Sequence, residues 1–460
     1  MLIFNLYFLL EFNMDYKQKY LKYKMKYLQL KGGEDPDNEN LDFFLNYNTK
    51  KDAFLERYEK FFNKDLIQSP IIRIGSPSAN GFINLIKFKK GDTTFKTVLK
   101  TSVNLEADNN YYEFVVGNCI NIIKEYVPNF LYTFLYATPT AGLKNDLKSN
   151  KLFYDVASFK ANTTFKPRIH GNDLQTFANI GVGCEKNDQA SILIEYVPDS
   201  LNTDELLKDA DFIGDLDYNL YCLLFQIYAA LAGLKNIYTH YDFHTGNVMM
   251  IKLPKKMRIE YTNFGTTLYT RFIPIIIDYG RSHINCLKLG TTIFSRVFSE
   301  ISCENPTCNK SAQPLCDTLS RGLVVQRDKT TYSTQDHFYS INLRLKNESH
   351  DLRFIHNFMK QFTHMLEIRK DYDKHFNVAT NPEWFVRQRD GTLDLTYGVQ
   401  EETSAYSNSK VIKTTSDVIS WLKEYGYSKN FTYKVTSDVY GTMTINTDIE
   451  SKVKWSFVKS

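Results

Sequence analysis

A short polar stretch between two apolar segments has residue types and a spacing that suit catalysis. Residues 240–247 have the order H-x-D-x-x-x-x-N, which sets Asp242 shortly before Asn247, and an apolar strand follows at once. A second apolar strand, PIIIDYG, delivers Asp278 beside a tyrosine and a glycine. Carboxylate and amide oxygens are the ligands that hard cations such as Mg²⁺ prefer, and an aspartate can orient a hydroxyl and accept its proton. Single Asp and Asn residues are also common turn formers, so the joint order of the motifs carries the argument.

Lys100 has the position expected of an anion-binding residue. It ends the otherwise apolar strand Thr94 to Lys100, and a buried ammonium group needs a negative charge beside it. Glu113, in the helical stretch 109–124, is the expected partner, and Glu106 is the alternative.

Two further segments could bind a nucleotide through backbone groups. A loop bounded by Gly75 and Gly81 joins two strands, and glycine lets the main chain approach phosphates closely, although most glycine pairs in hairpins are simple turns. The apolar strand Ser191 to Val197 ends at a Pro-Asp-Ser break. Backbone groups of Glu195 and Val197 could therefore face a purine; an ordinary core strand is the alternative.

In this order, the motifs resemble those of the protein-kinase-like superfamily over about residues 65–360. Residues 98–100 are similar to the third-strand lysine motif, 195–197 to the hinge, 240–247 to the catalytic loop and 278–280 to the D-F-G motif. The resemblance implies an α+β, two-lobed fold with a small antiparallel-sheet N-lobe and a mainly helical C-lobe. The basic, tyrosine-rich leader and the residues typical of A/T-rich codons are also similar to those of kinase-like proteins of giant DNA viruses of the mimivirus type.

The resemblance implies ATP and Mg²⁺ as cofactors and assigns a role to each residue. Lys100 would bind the α and β phosphates, and Glu113 would fix its rotamer. Asp278 would bind the Mg²⁺ that bridges the β and γ phosphates, and Asn247 would hold a second ion. Asp242 would orient the attacking hydroxyl and accept its proton.

The chain departs from the family's pattern at several positions. The glycine loop is one residue too long and contains Pro77, which lacks an N–H group and should weaken the cover of the phosphates. His244 stands where Ser/Thr kinases usually have a lysine, and H-x-D-x-H-x-G-N also resembles the loop of aminoglycoside and choline phosphotransferases. Gly280 completes D-Y-G and favours a protein substrate.

The sequence therefore predicts an ATP-dependent phosphotransferase of the protein kinase type that acts on serine or threonine of proteins, with His244 among its catalytic residues. A nucleotide-binding pseudokinase that serves as a virion or scaffold protein is one alternative. A small-molecule kinase of the aminoglycoside or choline type is the other.

Two features downstream of the D-Y-G motif have competing interpretations. Asp351 opens an apolar helical run and could brace the catalytic loop, as the resemblance implies, or cap the helix. Cys303, Cys308 and Cys316 lack the tight C-x-x-C spacing of zinc sites, which favours free thiols over a metal site.

The elements that must position these residues follow from periodicity. Apolar residues recur on one face of a buried helix from Leu220 to Leu234, shortly before residues 240–247, which are called the catalytic stretch because of their predicted role. Residues 252–271 predict an extended hairpin that turns at Asn-Phe-Gly, and the tail from about residue 400 alternates like another hairpin. The predicted organisation is a basic helix and linker (1–40), an N-lobe (41–198), a C-lobe (199–400) and a C-terminal extension (401–460).

The leader and the composition limit the partners. The apolar run Leu2 to Leu10 is too short to span a bilayer, and translation could begin at Met14. Residues 15–31 predict an amphipathic basic helix that could contact an anionic membrane or a partner. With 56 basic against 52 acidic residues, the chain as a whole is not a nucleic-acid binder. Its seven scattered cysteines favour reduced thiols and an intracellular protein, in the host cytoplasm or in a virion, and the oligomeric state stays open.

Overall fold

The computed structural model describes residues 37–59, 64–74, 81–102, 109–139, 153–166, 191–198, 200–280 and 282–285, and most residues of 346–375, 388–393 and 412–460. Several sequence predictions lie outside these residues: the basic helix of the leader, Gly75 and Pro77, Glu106, and the cysteines Cys303, Cys308 and Cys316. Among the described helices, none has the length and apolar character needed to cross a membrane.

The first half of the chain forms one antiparallel sheet with helices against it. The helices are α1 (Asp37–Leu45), α2 (Tyr47–Glu59), α3 (Asn109–Ile123) and α4 (Val156–Asn162). The strands are β1 (Ile67–Ile74), β2 (Gly81–Lys90), β3 (Thr93–Ser102), β4 (Thr133–Pro139), β5 (Phe153–Tyr154), β6 (Thr163–Lys166) and β7 (Ser191–Glu195). Their order in the sheet is β5-β1-β2-β3-β7-β4-β6.

The central hairpin of this sheet follows the sequence pattern. Strands β2 and β3 pair in continuous register from Gly81 opposite Ser102 to Lys90 opposite Thr93. The turn between them has Gly91 at φ +60°, a conformation that glycine adopts without steric cost. Helix α3 covers nearly the stretch that was predicted as helical. The sequence prediction of these elements is confirmed.

The folded part begins earlier than its predicted start at Leu41. Helix α1 starts at Asp37, and the buried side chain of Asn40 bonds both backbone groups of Lys96 in β3, at 2.8 and 3.1 Å. Phe43 packs against Phe95 with ring centroids 6.0 Å apart. Residues 37–40, predicted as part of a linker, therefore belong to the folded first half. A side-chain amide such as that of Asn40 can bond the backbone N–H and C=O groups of a strand in place of a neighbouring strand.

The second half combines helices with a second sheet. The helices are α5 (Thr203–Leu206), α6 (Ala210–Ile213), α7 (Leu216–Gly233), α8 (Arg353–Met359), α9 (Glu367–His375) and α10 (Thr415–Ser428). The strands are β8 (Ser200–Asn202), β9 (Tyr238–Thr239), β10 (Val248–Tyr261), β11 (Thr266–Ile276), β12 (His283–Ile284), β13 (Gln388–Arg389), β14 (Thr392–Leu393), β15 (Gly441–Ile445) and β16 (Ser456–Lys459). Helix α7 is buried on nearly all sides, as its apolar sequence predicts.

The long hairpin of β10 and β11 is the core of the second sheet and confirms the prediction for residues 252–271. Strand β10 also pairs in parallel with β15, and β15 pairs with β16, so the tail continues the same sheet. The described part of the second half therefore contains more strand than a mainly helical lobe implies. The α+β class is confirmed.

The cysteines of the described residues differ from one another. Cys222 in α7 is buried and free. Cys119 in α3 is disulfide-bonded, which is contrary to the prediction of reduced thiols throughout.

Candidate functional site

Three charged residues from separate elements meet at one point. The Nζ atom of Lys100, in β3, lies 2.6 Å from Oε2 of Glu113 in α3 and 2.8 Å from Oδ1 of Asp278, which follows β11. Glu113 is thus the partner of Lys100 that the sequence analysis expected. The side chain of Glu113 is 4% exposed and that of Asp278 is 42% exposed, so one carboxylate is enclosed and the other faces solvent.

Burial and the neighbouring charges shift the pKa values of Lys100 and Glu113. Burial raises the pKa of Glu113 to about 7, although the ammonium group of Lys100 opposes this shift. Burial alone would lower the pKa of Lys100, but the carboxylates of Asp278 and Glu113 outweigh it and raise this pKa. When both carboxylates are ionised, the trio has an excess of negative charge, and this favours an additional cation near the exposed Asp278.

Asn247 connects the catalytic stretch to the strand that delivers Asp278. Its side-chain amide donates to the backbone oxygen of Asp242 at 2.8 Å. Its backbone oxygen accepts from the N–H of Ile277 at 3.0 Å, and its own N–H donates to the oxygen of His244 at 2.9 Å. Asn247 therefore bonds both Asp242 and Ile277, the residue directly before Asp278.

The carboxylate of Asp351 holds the backbone at the start of the stretch 240–247. Its two carboxylate oxygens accept the backbone N–H groups of His240 at 2.8 Å and of Tyr241 at 3.0 Å. Tyr241 has φ +60°, which is uncommon for a residue with a side chain. Because both oxygens bond the loop, the geometry favours the bracing role of Asp351 over that of a helix cap. Burial raises its pKa to about 7.

The two histidines of the catalytic stretch have different environments. His240 is fully buried, burial lowers its pKa, and its Nε2 bonds the backbone oxygen of Ile277 at 2.9 Å, so a neutral ring that donates from Nε2 braces the loop. His244 is partly exposed; its Nδ1 accepts the N–H of Gly246 at 3.0 Å and its Nε2 is 3.9 Å from Oδ1 of Asp242. Of the two, only His244 is beside the carboxylate of Asp242 and open to solvent.

One backbone group of the hinge-like strand is used within the sheet. The backbone N–H of Glu195 donates to the oxygen of Tyr132 at 2.8 Å, so this group is occupied by the sheet and does not face a purine. The side chain of Glu195 forms an ion pair of 2.8 Å with Lys124, and both side chains are almost completely buried. Val197, beyond the end of β7, is also buried. Lys124 was not predicted, although a lysine directly after the largely apolar run 114–123 is a detectable signal.

Of the two glycines predicted to cover phosphates, only Gly81 is described. It is the first residue of β2 and lies opposite Ser102, and two residues further on Ile83 lies opposite Lys100. The end of the predicted loop is therefore beside the strand that carries the lysine.

The side-chain oxygens of Asp278 and Asn247 suit a hard cation that takes its remaining ligands from phosphate and water. Asp278 offers an exposed carboxylate and Asn247 an amide oxygen, and Mg²⁺ is usually bound by one or two protein oxygens together with phosphate oxygens and water. No group of three or more His, Cys, Asp or Glu side chains in the described part of the chain could hold a metal by itself. An open cavity of about 1180 Å³ lies elsewhere, and its walls contain none of these site residues.

Comparison with known proteins identifies a viral relative. No family model matches the chain. Over 251 residues, it is 25% identical to an uncharacterized protein, 035R, of Invertebrate iridescent virus 3. The match covers 49% of this chain and 20% of the viral protein, so the chain spans about a fifth of that relative's length.

Proposed function

We propose that the chain is an ATP- and Mg²⁺-dependent phosphotransferase of the protein kinase type, with serine or threonine hydroxyls of proteins as acceptors. The trio of Lys100, Glu113 and Asp278 carries the proposal. Its two carboxylates are 13 and 178 residues from the lysine in the sequence, yet both bond the same ammonium group.

Each residue of the trio would contribute differently to binding. Phosphoryl transfer depends mainly on aligning the reactants and countering the charge of the phosphates. Lys100 would bind phosphate oxygens, and the enclosed Glu113 would keep its ammonium group directed at them. Asp278 would exchange its contact with Lys100 for a metal ion, because its carboxylate is exposed. Bound Mg²⁺ would neutralise phosphate charge, and Asn247 would offer its amide oxygen to a second ion.

Asp242 would bind and deprotonate the acceptor hydroxyl. Its side chain is 13% exposed, and its backbone is held by Asn247, so its direction is fixed while it stays accessible. A small-molecule acceptor of the aminoglycoside or choline type is the second candidate. The position of His244, with Nε2 3.9 Å from Oδ1 of Asp242, favours it.

The viral relative supports a viral origin, for which the composition and leader were the first indication. We place the protein inside infected cells or virions. This location is compatible with an ATP-dependent activity, since ATP is an intracellular substrate.

The experiment measures binding and transfer separately in the full chain. Calorimetry with Mg·ATP measures binding, and labelled γ-phosphate measures transfer to mixed proteins, aminoglycosides and choline. Asp278→Asn should abolish both the Mg²⁺-dependent binding and transfer, whereas Asp242→Asn should abolish transfer and leave binding. Asp438→Asn, at an exposed ion pair with Lys255, is the control that should change neither.

Three results would count against the proposal. Transfer at the parent rate by both site variants would show that the residues are wrongly assigned. Binding without transfer to any acceptor would identify a pseudokinase. Absence of nucleotide binding in the parent would reject both.

A further inference from the structure

The hydroxyl group of Tyr279 makes two hydrogen bonds beside the metal-binding candidate Asp278. It accepts the backbone N–H of Leu131 at 2.7 Å and donates to the backbone oxygen of Ile276 at 2.9 Å. The side chain is 3% exposed. A phenylalanine would pack in the same place, but it would leave a buried N–H group without its partner.

We propose that Tyr279 is a positioning residue, whose hydroxyl holds Asp278 in the conformation that reaches Lys100; this role rests on the proposed function. Asp278 has φ +67°. A residue with a side chain keeps this conformation only where its surroundings determine it, because it costs free energy. The structure therefore has to hold both neighbours of Asp278.

The residue before Asp278 is held by the catalytic stretch. The N–H of Ile277 donates to Asn247, and its oxygen bonds Nε2 of His240. The residue after Asp278 is held by the hydroxyl of Tyr279 and by its backbone, whose N–H is directed at the carboxylate of Glu113 and whose oxygen accepts the N–H of Ser282 at 3.0 Å. Asp278 is thus fixed from both sides.

The loop that Tyr279 bonds is itself firmly held. The N–H of Ile276 donates to the oxygen of Asn129 at 2.8 Å. The ammonium group of Lys124 donates to the oxygen of Phe130 at 2.6 Å while it pairs with Glu195. The carboxylate of Glu195 accepts the backbone N–H of Tyr132 at 2.8 Å. Two almost fully buried charges therefore fix the backbone on both sides of Leu131, and the hydroxyl is anchored to a part of the protein that does not readily move.

Loss of the hydroxyl should affect the metal more than the nucleotide. The ion pair of Lys100 and Glu113 does not involve the hydroxyl of Tyr279, so phosphate binding without metal should persist in Tyr279→Phe. Asp278, with its left-handed conformation no longer enforced, would turn away from Lys100. A displacement of about 1 Å at a catalytic group can cost about 100-fold in rate.

The test compares Tyr279→Phe with Tyr218→Phe in the full chain. The hydroxyl of Tyr218 also accepts a buried backbone N–H, that of Tyr269 at 3.0 Å, but it lies between α7 and β11. Calorimetry measures the affinity for ATP with and without Mg²⁺, transfer kinetics give kcat and KM, and crystal structures give the distance from Lys100 Nζ to Asp278 Oδ1.

We expect Tyr279→Phe to lose about tenfold or more in Mg²⁺-dependent affinity for ATP and in kcat. Its affinity for ATP without metal should stay within about twofold of the parent. Tyr218→Phe should change none of these quantities. In the crystal, the distance between Lys100 and Asp278 should exceed hydrogen-bond length. If Tyr279→Phe matches Tyr218→Phe in binding and kinetics, the positioning role is wrong while the proposed function stands. If the parent binds no Mg·ATP, the proposed function fails. Independently of binding, a crystal structure of Tyr279→Phe that keeps the distance of 2.8 Å between Lys100 Nζ and Asp278 Oδ1 would overturn the positioning role.

Discussion

The ammonium group of Lys100 lies between two carboxylates that differ in exposure. Glu113 is enclosed and bonds the lysine at 2.6 Å, whereas Asp278 is 42% exposed at 2.8 Å. A ligand that enters from solvent can displace only the exposed carboxylate. The enclosed one keeps the lysine oriented before and after binding, and such preorganisation lowers the cost of fixing a flexible side chain.

Replacing Glu113 with glutamine should change how stability depends on pH. Burial raises the pKa of Glu113 to about 7 from an ordinary 4.5, so the folded state binds this proton more tightly than the unfolded chain does. The stabilisation is complete below pH 4.5 and is lost as the pH rises through 7. In urea unfolding from pH 5 to 8, the parent should lose about 2 kcal/mol relative to Glu113→Gln.

Glu125 provides a control of opposite sign. Its ion pairs with Lys454 and Lys51 outweigh burial and lower its pKa. Ionised Glu125 therefore stabilises the folded state above the ordinary pKa of a glutamate, and this stabilisation is lost as the pH falls through the lowered pKa. The difference between the parent and Glu125→Gln should therefore change only towards acid pH, in the opposite direction. A constant difference between the parent and Glu113→Gln would show that the pKa of Glu113 is not raised.

At the residue scale, the motifs predicted the trio but not its support. Lys100, Glu113 and Asp278 follow from motif order, since each has a distinctive sequence context. The pair of Lys124 and Glu195 and the hydroxyl bonds of Tyr279 depend on loops that meet only in the folded chain. The interpretation of Glu195 failed in part for this reason: its N–H is used by Tyr132, and no local pattern reveals that.

Helix α3 is the element that sets the position of Glu113. It packs against β4 so closely that a Cβ atom added at Gly117 would overlap the hydroxyl of Thr133. Gly117 is one helical turn after Glu113, and residues four apart share a helix face. Space at position 117 therefore controls how near the carboxylate comes to Lys100.

Gly117→Ala should weaken the site although alanine is the better helix former. The propensity gain is about 1 kcal/mol, whereas overpacking costs typically about 1–3 kcal/mol. We expect a net loss in chemical denaturation and weaker binding of Mg·ATP, because α3 must move away from β4. Gly426→Ala in α10, which would overlap Tyr221, is the matched control: it should destabilise the protein but leave the binding affinity unchanged. Equal effects of both variants on affinity would refute the argument.

At the element scale, periodicity predicted the hairpins and helices α3 and α7 well. It did not predict that β10 accepts β15 as a parallel partner, with Arg258 opposite Thr442. Alternation identifies a strand and its buried face, but it does not identify the partner across such a sequence distance.

The two halves of the molecule are joined by its C-terminal residues. The buried Trp455 donates its backbone N–H to Glu125 at 3.2 Å and its indole N–H to Lys124 at 2.6 Å, and its oxygen accepts the amide of Asn48 at 2.8 Å. The residues after it form β16 in the second sheet. The segment that the sequence placed outside the kinase resemblance thus connects α2, the end of α3 and the sheet that contains the β10–β11 hairpin.

The two termini should therefore respond differently to deletion. Removing residues 453–460 exposes the site of Trp455 and removes β16. Losing a buried tryptophan costs about 3–5 kcal/mol, and each kcal/mol lowers Tm by about 2–4 °C in a domain of about 150–250 residues, which is roughly the size of each half of this chain. We expect Tm to fall by on the order of 10 °C, with weaker binding of Mg·ATP because the end of α3 loses its anchor. Removing residues 1–33 should leave both unchanged, since the motifs of the site begin later. Calorimetric melting and titration of the two truncated proteins measure this contrast. A C-terminal truncation as stable as the parent would show that Trp455 does not hold the halves together, and a collapse on N-terminal deletion would show that the leader belongs to the folded body.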